Sequence, residues 1–469
     1  MTLNAKKVLV AVLSVVLLAS LLLVAWIEGG KQRLAPEPET LLSEESRGCY
    51  RCHLEKTPAI VGQWVGSRHG ELGIGCYECH RAEEGEVDGW KHGGRLIATI
   101  VTPNDCARCH KTIADEFAKS AHSRAADVAG SLDAVLAERL QGHASATVGC
   151  GRCHGQAVEF RRDEAGKVVR DSEGKPLFAE GVWPNTGMGR INPDGSRGAC
   201  TACHSRHRFD IAMARRPESC GKCHLGPDHP QEEIYSESKH GVAFANALAQ
   251  GAMHLEKRKW VVGVDYSAAP TCATCHMSAT PNQPMTHDPS ARLSWNCRPA
   301  ISTHPEDWEI NRANMQDVCM NCHSPTWVDG HFAQYDAAVD LWNRRFGEPG
   351  LKIMEDLAAA GLLTPKPFDE PIEWTWYFLW HREGRQARMG SAMMGPGYAQ
   401  WQGFAEVAEH FFDRFLPQAR EIAKAKPEVA AALEKLLSTP EHDWLRAGGA
   451  EERARVEAFY KERYGQAIR

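Results

Sequence analysis

At 469 residues the chain is too long for one ordinary domain and suits two or three segments around a shared interior. Its 43% hydrophobic content is that of a globular protein, and a formal net charge of −6 gives no excess that would point to nucleic acid. The informative counts are 17 cysteines and 22 histidines.

At the N-terminus Lys6 and Lys7 precede an apolar run from Val8 to Ile27, about 20 residues and so long enough to cross a bilayer. A cleaved signal peptide usually has a shorter apolar core and a small-x-small site, whereas this run ends in Trp26, Ile27 and Glu28. Residues 1–28 therefore read as a membrane anchor or signal, with the lysines inside and the rest of the chain exported. Residues 29–48, which include "LAPEPET", read as a linker.

From residue 49 one short unit recurs. It is Cys49-Cys52-His53, then Cys76-Cys79-His80, Cys106-Cys109-His110, Cys150-Cys153-His154, Cys200-Cys203-His204, Cys220-Cys223-His224, Cys272-Cys275-His276 and Cys319-Cys322-His323. Sixteen of the cysteines fall in these eight Cys-x-x-Cys-His units and only Cys297, in "SWNCRP", is left over as a structural thiol. A zinc knuckle, a redox dithiol or a disulfide accounts for Cys-x-x-Cys, but none needs a histidine directly behind the second cysteine. Attachment of c-type heme does: the thiols add to the two vinyl groups and the imidazole ligates the iron. The expectation is eight covalently bound c-type hemes in an exported domain.

The motifs recur at irregular intervals, which argues against a solenoid. Long hydrophobic elements are scarce between residues 49 and 335, and porphyrins supply the apolar interior that side chains do not. The predicted fold is mainly α: a multiheme cytochrome c domain over 49–335, with short helices and loops around eight hemes. Residues 158–198, rich in Gly, Asp and Pro, read as a surface excursion, a hairpin between the fourth and fifth motifs. Residues 336–469 form a helical C-terminal domain. In it Phe404, Val407, Ala408, Phe411 and Phe415 lie at helical spacing until Pro417 interrupts the pattern, and residues 427–440 and 449–465 continue in the same style. The aromatic cluster "EWTWYFLW", 373–380, is expected to pack against heme or a neighbouring subunit.

Removing the motif histidines leaves 14 as candidates for the other iron faces. That number permits either a full set of bis-imidazole hemes or one heme left open. Six stand beside small residues that suit close approach to a porphyrin: His69 in "GSRHG", His92 in "WKHGG", His122 in "KSAHS", His207 in "HSRH", His240 in "SKHG" and His287 in "MTHD". One further group has no place in this scheme, the Asp228-His229 pair just after the sixth motif. On residue type alone it is either an acid–base pair or one more ligand beside a turn.

The stretches "CHSRHRFDIAMARRPESCGKCHLGPDHPQEEIYSESKHG" and "APTCATCHMSATPNQPMTHD" closely resemble the octaheme hydroxylamine oxidoreductase family. The likeness covers all eight motifs in order, residues 49–335, and is weaker in the C-terminal third. The intervals match too, with His69 standing 16 residues after His53. The resemblance implies that the heme of Cys150, Cys153 and His154 is catalytic, with its other face open to substrate. It implies that Asp228 and His229 line that face as acid–base groups, that the six histidines above are distal ligands, and that the protein is a homotrimer.

Two departures bear on direction. Oxidising members carry a tyrosine from a neighbouring subunit, cross-linked to the catalytic porphyrin. In "MGSAMMGPGYAQWQGF", 389–404, that position falls on or near Trp401, with Tyr398 three residues earlier. Oxidising relatives also place a pocket tyrosine eight residues after the last motif histidine, where this chain has His331, a proton donor or a further iron ligand. The chain thus resembles the reductive branch, acting on a small inorganic nitrogen substrate. The expected activity is reduction of nitrite or nitric oxide to hydroxylamine or ammonium, and the expected electron partner a membrane-bound multiheme quinol dehydrogenase. The expected location is periplasmic, tethered by the N-terminal helix. Hydroxylamine or hydrazine oxidation, and pure electron transfer, are the alternatives.

Overall fold

The computed structural model describes residues 15–21, 38–184, 187–446 and 448–465. The fold is mainly α, and among the described residues the only sheet is a two-stranded ribbon. No described helix is long and apolar enough to cross a membrane. Most of the run read as an anchor, Val8–Ile27, lies outside the described residues, and its residues 15–21 are helical.

The chain divides into two compact units. The first comprises residues 1–101, 160–180 and 205–210. In it helix Glu44–Lys56 carries the first motif and the turn Cys76–His80 the second. Ser43 caps the former by accepting from the Ser46 amide. Fully buried Ser46 then joins the two, accepting from the Tyr77 amide at 2.9 Å and donating to Glu78 Oε2 at 2.5 Å. Strands Trp90–His92 and Arg95–Ile97 pair antiparallel across Gly93 and Gly94, whose φ of 55° and 79° suits the tight hairpin turn that follows His92. Residues 160–178 form a narrow β-arm of paired bridges, Phe160 with Phe178, Arg162 with Val168 and Arg170 with Pro176. Its two turns are built alike. Asp163 accepts from the amides of Ala165 and Lys167, and Asp171 from those of Glu173 and Lys175.

The second unit holds residues 102–159, 181–204 and 211–469. Helix Pro103–Lys119 carries the third motif and breaks at His110, whose φ of −113° and ψ of 44° are not helical. The fourth motif is a single helical turn, Cys150–His154. It is strapped from behind by the Met188 amide on Cys153 O at 2.8 Å and the Gly189 amide on His154 O at 3.0 Å. Helix Pro325–Trp342 runs without interruption across residue 335, where the sequence changes character.

The largest apolar core is in the C-terminal part of this unit, where Trp342, Leu357, Leu379, Val407, Phe411, Phe415, Leu416 and Ala419 are almost completely buried. The periodicity read from Phe404 to Phe415 is present, but Pro417 does not end the helix. The chain passes from Glu406–Glu409 through a wide π turn, His410–Phe415, into helix Leu416–Ala423 with Pro417 in its first turn. Proline cannot donate to the residue four back and collides with its carbonyl; a π turn just ahead removes both demands. The aromatic cluster at 373–380 makes its contacts within the chain, Trp376 against Phe415 at 5.5 Å and Tyr377 against His381 at 4.4 Å.

Candidate functional site

Each motif must present one imidazole nitrogen to iron, and at five of the eight a backbone or side-chain oxygen occupies the other. Nδ1 of His80 lies 3.0 Å from Ala98 O, that of His154 2.9 Å from Ala125 O, and that of His276 3.3 Å from Pro289 O. Nδ1 of His53 faces Thr57 Oγ1 at 2.9 Å and that of His224 faces Gln231 Oε1 at 3.4 Å. A carbonyl accepts only from Nδ1–H, so Nε2 is left as the basic atom, as in most metal-binding histidines. None of the 17 cysteines is in a disulfide, and all 16 motif thiols are available for thioethers. Cys297 is buried with its Sγ 3.3 Å from Tyr335 Oη.

Two imidazoles on opposite faces of one iron, each bound at about 2 Å, have ring centres about 6 Å apart. His53 and His92 stand at 6.1 Å, His122 and His224 at 5.9 Å, and His240 and His323 at 6.0 Å. His80 faces His207 and His110 faces His287 closely enough that, after burial, each motif ring depresses its neighbour's pKa. The donor set and the spacing therefore fit c-type heme. His69 packs edge-on against Phe209 at 5.1 Å.

Three of the six candidate distal histidines share one local design that the sequence reading did not isolate. His69, His122 and His240 each follow a serine by two residues and precede Gly or Ser, with an aromatic residue three before the serine. Ser67, Ser120 and Ser238 are buried, and each hydroxyl donates to that aromatic residue's carbonyl, on Trp64, Phe117 and Tyr235. Ser67 and Ser238 also cap helices by accepting from Gly70 and Gly241. A Cβ on Gly70 would meet Trp64 O at 2.3 Å and one on Gly241 would meet Tyr235 O at 2.0 Å, so the turn tolerates no side chain there. The spacing aromatic-x-x-Ser-x-His was legible in the sequence.

The attachment sites crowd together within the second unit. Cys106 lies beside Cys200, Cys153 beside Cys223 and Cys220 beside Cys272, each pair within hydrogen-bonding reach. Close contacts of this kind suit electron transfer from one heme to the next.

Asp228 and His229 follow the sixth motif on a loop held by Gln386, whose Nε2 donates to Pro227 O at 2.6 Å. His229 Nδ1 is 3.4 Å from Asp228 Oδ1, and Asp228 Oδ2 is 3.6 Å from Arg385 Nη1. Arg385 extends into a group absent from the sequence reading. Its Nη1 is 3.1 Å from His381 Nε2, which lies 2.7 Å from Asp133 Oδ1, and Tyr377 Oη donates to that same oxygen. Burial would raise the Asp133 carboxyl, but hydrogen bonds from His381 and Tyr377 and the charge of Arg385 hold it down to about 2. Asp133 in turn is near enough to Cys150 to raise its thiol, after burial, which ties the cluster to the fourth motif. Residues 133, 228, 381 and 385 are far apart in the chain, and no local pattern announces them.

His229 also stands 6.2 Å from His224 on ring centres, the same axial spacing that His122 offers. His122 is close in charge to both His224 and His276. His331 is brought to the eighth motif's side, where with His323 it depresses His240 after burial. Tyr398 is held at its backbone, its amide donating to Glu237 Oε1 at 3.1 Å, while Trp401 is 70% exposed.

These features fit a multiheme c-type cytochrome, and the comparisons point to the same class. A family of multiheme cytochromes described as having seven Cys-x-x-Cys-His motifs matches residues 189–371. Within that class the likeness is to proteins related to hydroxylamine oxidoreductase. A probable nitrite reductase–hydroxylamine oxidoreductase fusion protein of Kuenenia stuttgartiensis is 27% identical over 382 residues, 69% of this chain and 39% of that protein. The chain thus spans about two fifths of that relative's length. A solved hypothetical multiheme protein superposes with a TM-score of 0.69 at 26% identity, covering 82% of this chain and 97% of its own. The reducing HAO-like protein complex of Kuenenia stuttgartiensis gives a TM-score of 0.58 at 21% identity over 84% of this chain and 87% of its own, a likeness of fold.

Proposed function

We propose that the protein carries eight c-type hemes and reduces nitrite or nitric oxide to hydroxylamine or ammonium at the heme of Cys150, Cys153 and His154. Cys150, Cys153 and His154 would hold that heme, which would supply the binding of the nitrogen oxide and the electrons for its reduction. The observation that carries the proposal is the Asp228–His229 pair, on a loop fixed by Gln386 and flanked by Arg385. The reaction consumes about as many protons as electrons, so proton donors must stand at the bound atoms. Asp228 sets a carboxylate beside the His229 ring, and His229 passes protons to nitrogen and oxygen. His331 belongs to the eighth motif's surroundings and is assigned there as a ligand or local proton donor.

The exported location, the N-terminal anchor, the homotrimer and a multiheme quinol dehydrogenase as electron donor are parts of the same proposal. The names of the relatives support redox chemistry of inorganic nitrogen. The test is mass spectrometry of heme peptides joined to a nitrite assay. Absence of any adduct between a Tyr398 peptide and the Cys150–Cys153 heme peptide, with nitrite consumed, is the expected result. Such an adduct, with hydroxylamine oxidised instead, overturns the direction.

One observation favours a second reading of His229. At 6.2 Å from His224 it is placed to ligate the sixth iron, which would leave His122 for the seventh. His229→Gln separates the two. An acid–base role predicts an unchanged number of low-spin hemes by electron paramagnetic resonance and a large loss of turnover; a ligand role predicts one low-spin heme fewer.

A further inference from the structure

We propose that Arg170, at the second turn of the β-arm, is a positioning residue for His92, holding that imidazole on the first iron and so keeping the first heme closed to outside ligands. This rests on reading His53 and His92 as an axial pair, and it gives the arm a task that the site at the fourth motif does not use.

His92 needs support from outside its own strand. It is exposed, and it sits at the turn end of a ribbon with three residue pairs, Trp90 with Ile97, Lys91 with Leu96 and His92 with Arg95. A two-stranded ribbon of that length is marginal in water. One strand is tied to the second motif, with the Ala82 amide donating to Leu96 O at 3.2 Å and the Ala98 amide to His80 O at 2.8 Å. The strand that carries His92 is held by the arm. Arg170 Nη1 donates to Gly89 O at 2.7 Å and Nη2 to Val87 O at 3.0 Å, just ahead of Trp90. Lys175 Nζ stands 6.0 Å from the centre of the Trp90 ring, which is buried and lies 4.8 Å from the His92 ring. Arm, ribbon and first motif all belong to the first unit.

The arm contains its own control. The pattern Arg-Asp-x-x-Gly-Lys occurs twice, at 162–167 and, eight residues on, at 170–175. In each turn the arginine Nη1 donates to the glycine carbonyl, Arg162 to Gly166 at 2.7 Å and Arg170 to Gly174 at 2.8 Å. Closing the turn therefore accounts for both arginines equally. Arg170 goes further and spreads its two Nη groups over two carbonyls of the ribbon, which a planar guanidinium can do and a single ammonium cannot. Release of residues 87–89 would free Trp90, and with it His92, to swing away from the axial position and open that face to water or an added ligand.

The test compares the full heme-loaded native protein with Arg170→Gln, Arg170→Lys, Arg162→Gln and His92→Ala, at equal heme content by pyridine hemochrome. Electron paramagnetic resonance of the oxidised proteins and carbon monoxide uptake by the reduced ones are the readouts. His92→Ala identifies the low-spin signal of the first heme by removing it. Arg170→Gln should shift that same signal to high spin and raise carbon monoxide uptake per chain toward about twice the native value. Arg170→Lys, which reaches one carbonyl but cannot fork across two, should do so less, and Arg162→Gln should leave both readouts native. A signal unmoved in Arg170→Gln, or moved as far in Arg162→Gln, overturns the inference. If Arg170→Gln does not fold, Arg170→Lys set against Arg162→Gln decides. A native spectrum in His92→Ala would instead sink the pairing of His92 with His53 on which the inference stands.

Discussion

At the scale of single residues, chemistry is concentrated at a few side chains whose neighbours fix their state. On the proposed reading, Asp228→Asn removes the carboxylate charge 3.4 Å from His229 Nδ1. We expect kcat for nitrite to fall on the order of 10²–10⁴-fold with heme content unchanged, as checked by steady-state assay and pyridine hemochrome. Asp133 makes a separate prediction. Its folded-state carboxyl, at about 2, lies below the unfolded value near 3.9, so its stabilisation is complete above the unfolded value and is lost as pH falls through the folded one. Denaturant midpoints should therefore drop between about pH 4 and pH 2 in the native protein by more than in Asp133→Asn. With a side chain 33% exposed, the difference should be on the order of 1 kcal/mol.

At the scale of elements, the sequence was readable wherever one short segment makes its own geometry. The Cys-x-x-Cys-His turns are such segments, because two thioethers and one iron bond must come from a single helical turn. The serine-capped turns at His69, His122 and His240 are too, since serine, histidine and the aromatic carbonyl sit within six consecutive residues. Pro417 was misjudged because the π turn ahead of it leaves no clear trace in residue type. Arg385, His381 and Asp133 were invisible because only tertiary packing brings them to Asp228. Two predictions follow from the elements themselves. Ser238→Ala removes the cap of helix Lys239–Ala249 and should cost about 1 kcal/mol of stability while loosening His240, seen as a shifted low-spin signal. Phe411→Ala opens the C-terminal core and should cost about 3–5 kcal/mol in chemical denaturation.

At the scale of the molecule, the two kinds of interior have different sources. The C-terminal helices bury a conventional core of Trp342, Phe411 and Phe415, whereas the motif regions set imidazole rings at heme spacing beside a smaller cluster of Tyr235, Phe244, Trp260 and Tyr266. That division explains why composition alone read as an ordinary globular protein while the motifs did not. It also fits the solved multiheme protein that superposes on 82% of this chain at 26% identity. Attachment sites that touch through Cys153–Cys223 and Cys220–Cys272 join the fourth, sixth and seventh motifs, and Cys106–Cys200 joins the third and fifth. The measurement that tests this account most directly is stopped-flow mixing of the fully reduced protein with nitrite. The account predicts rapid reoxidation of the hemes with hydroxylamine or ammonium as product, slowed at least a hundredfold, on the order expected for loss of an acid–base group, in Asp228→Asn. Hemes that stay reduced in the presence of nitrite, or reoxidise equally fast in that variant, would contradict it.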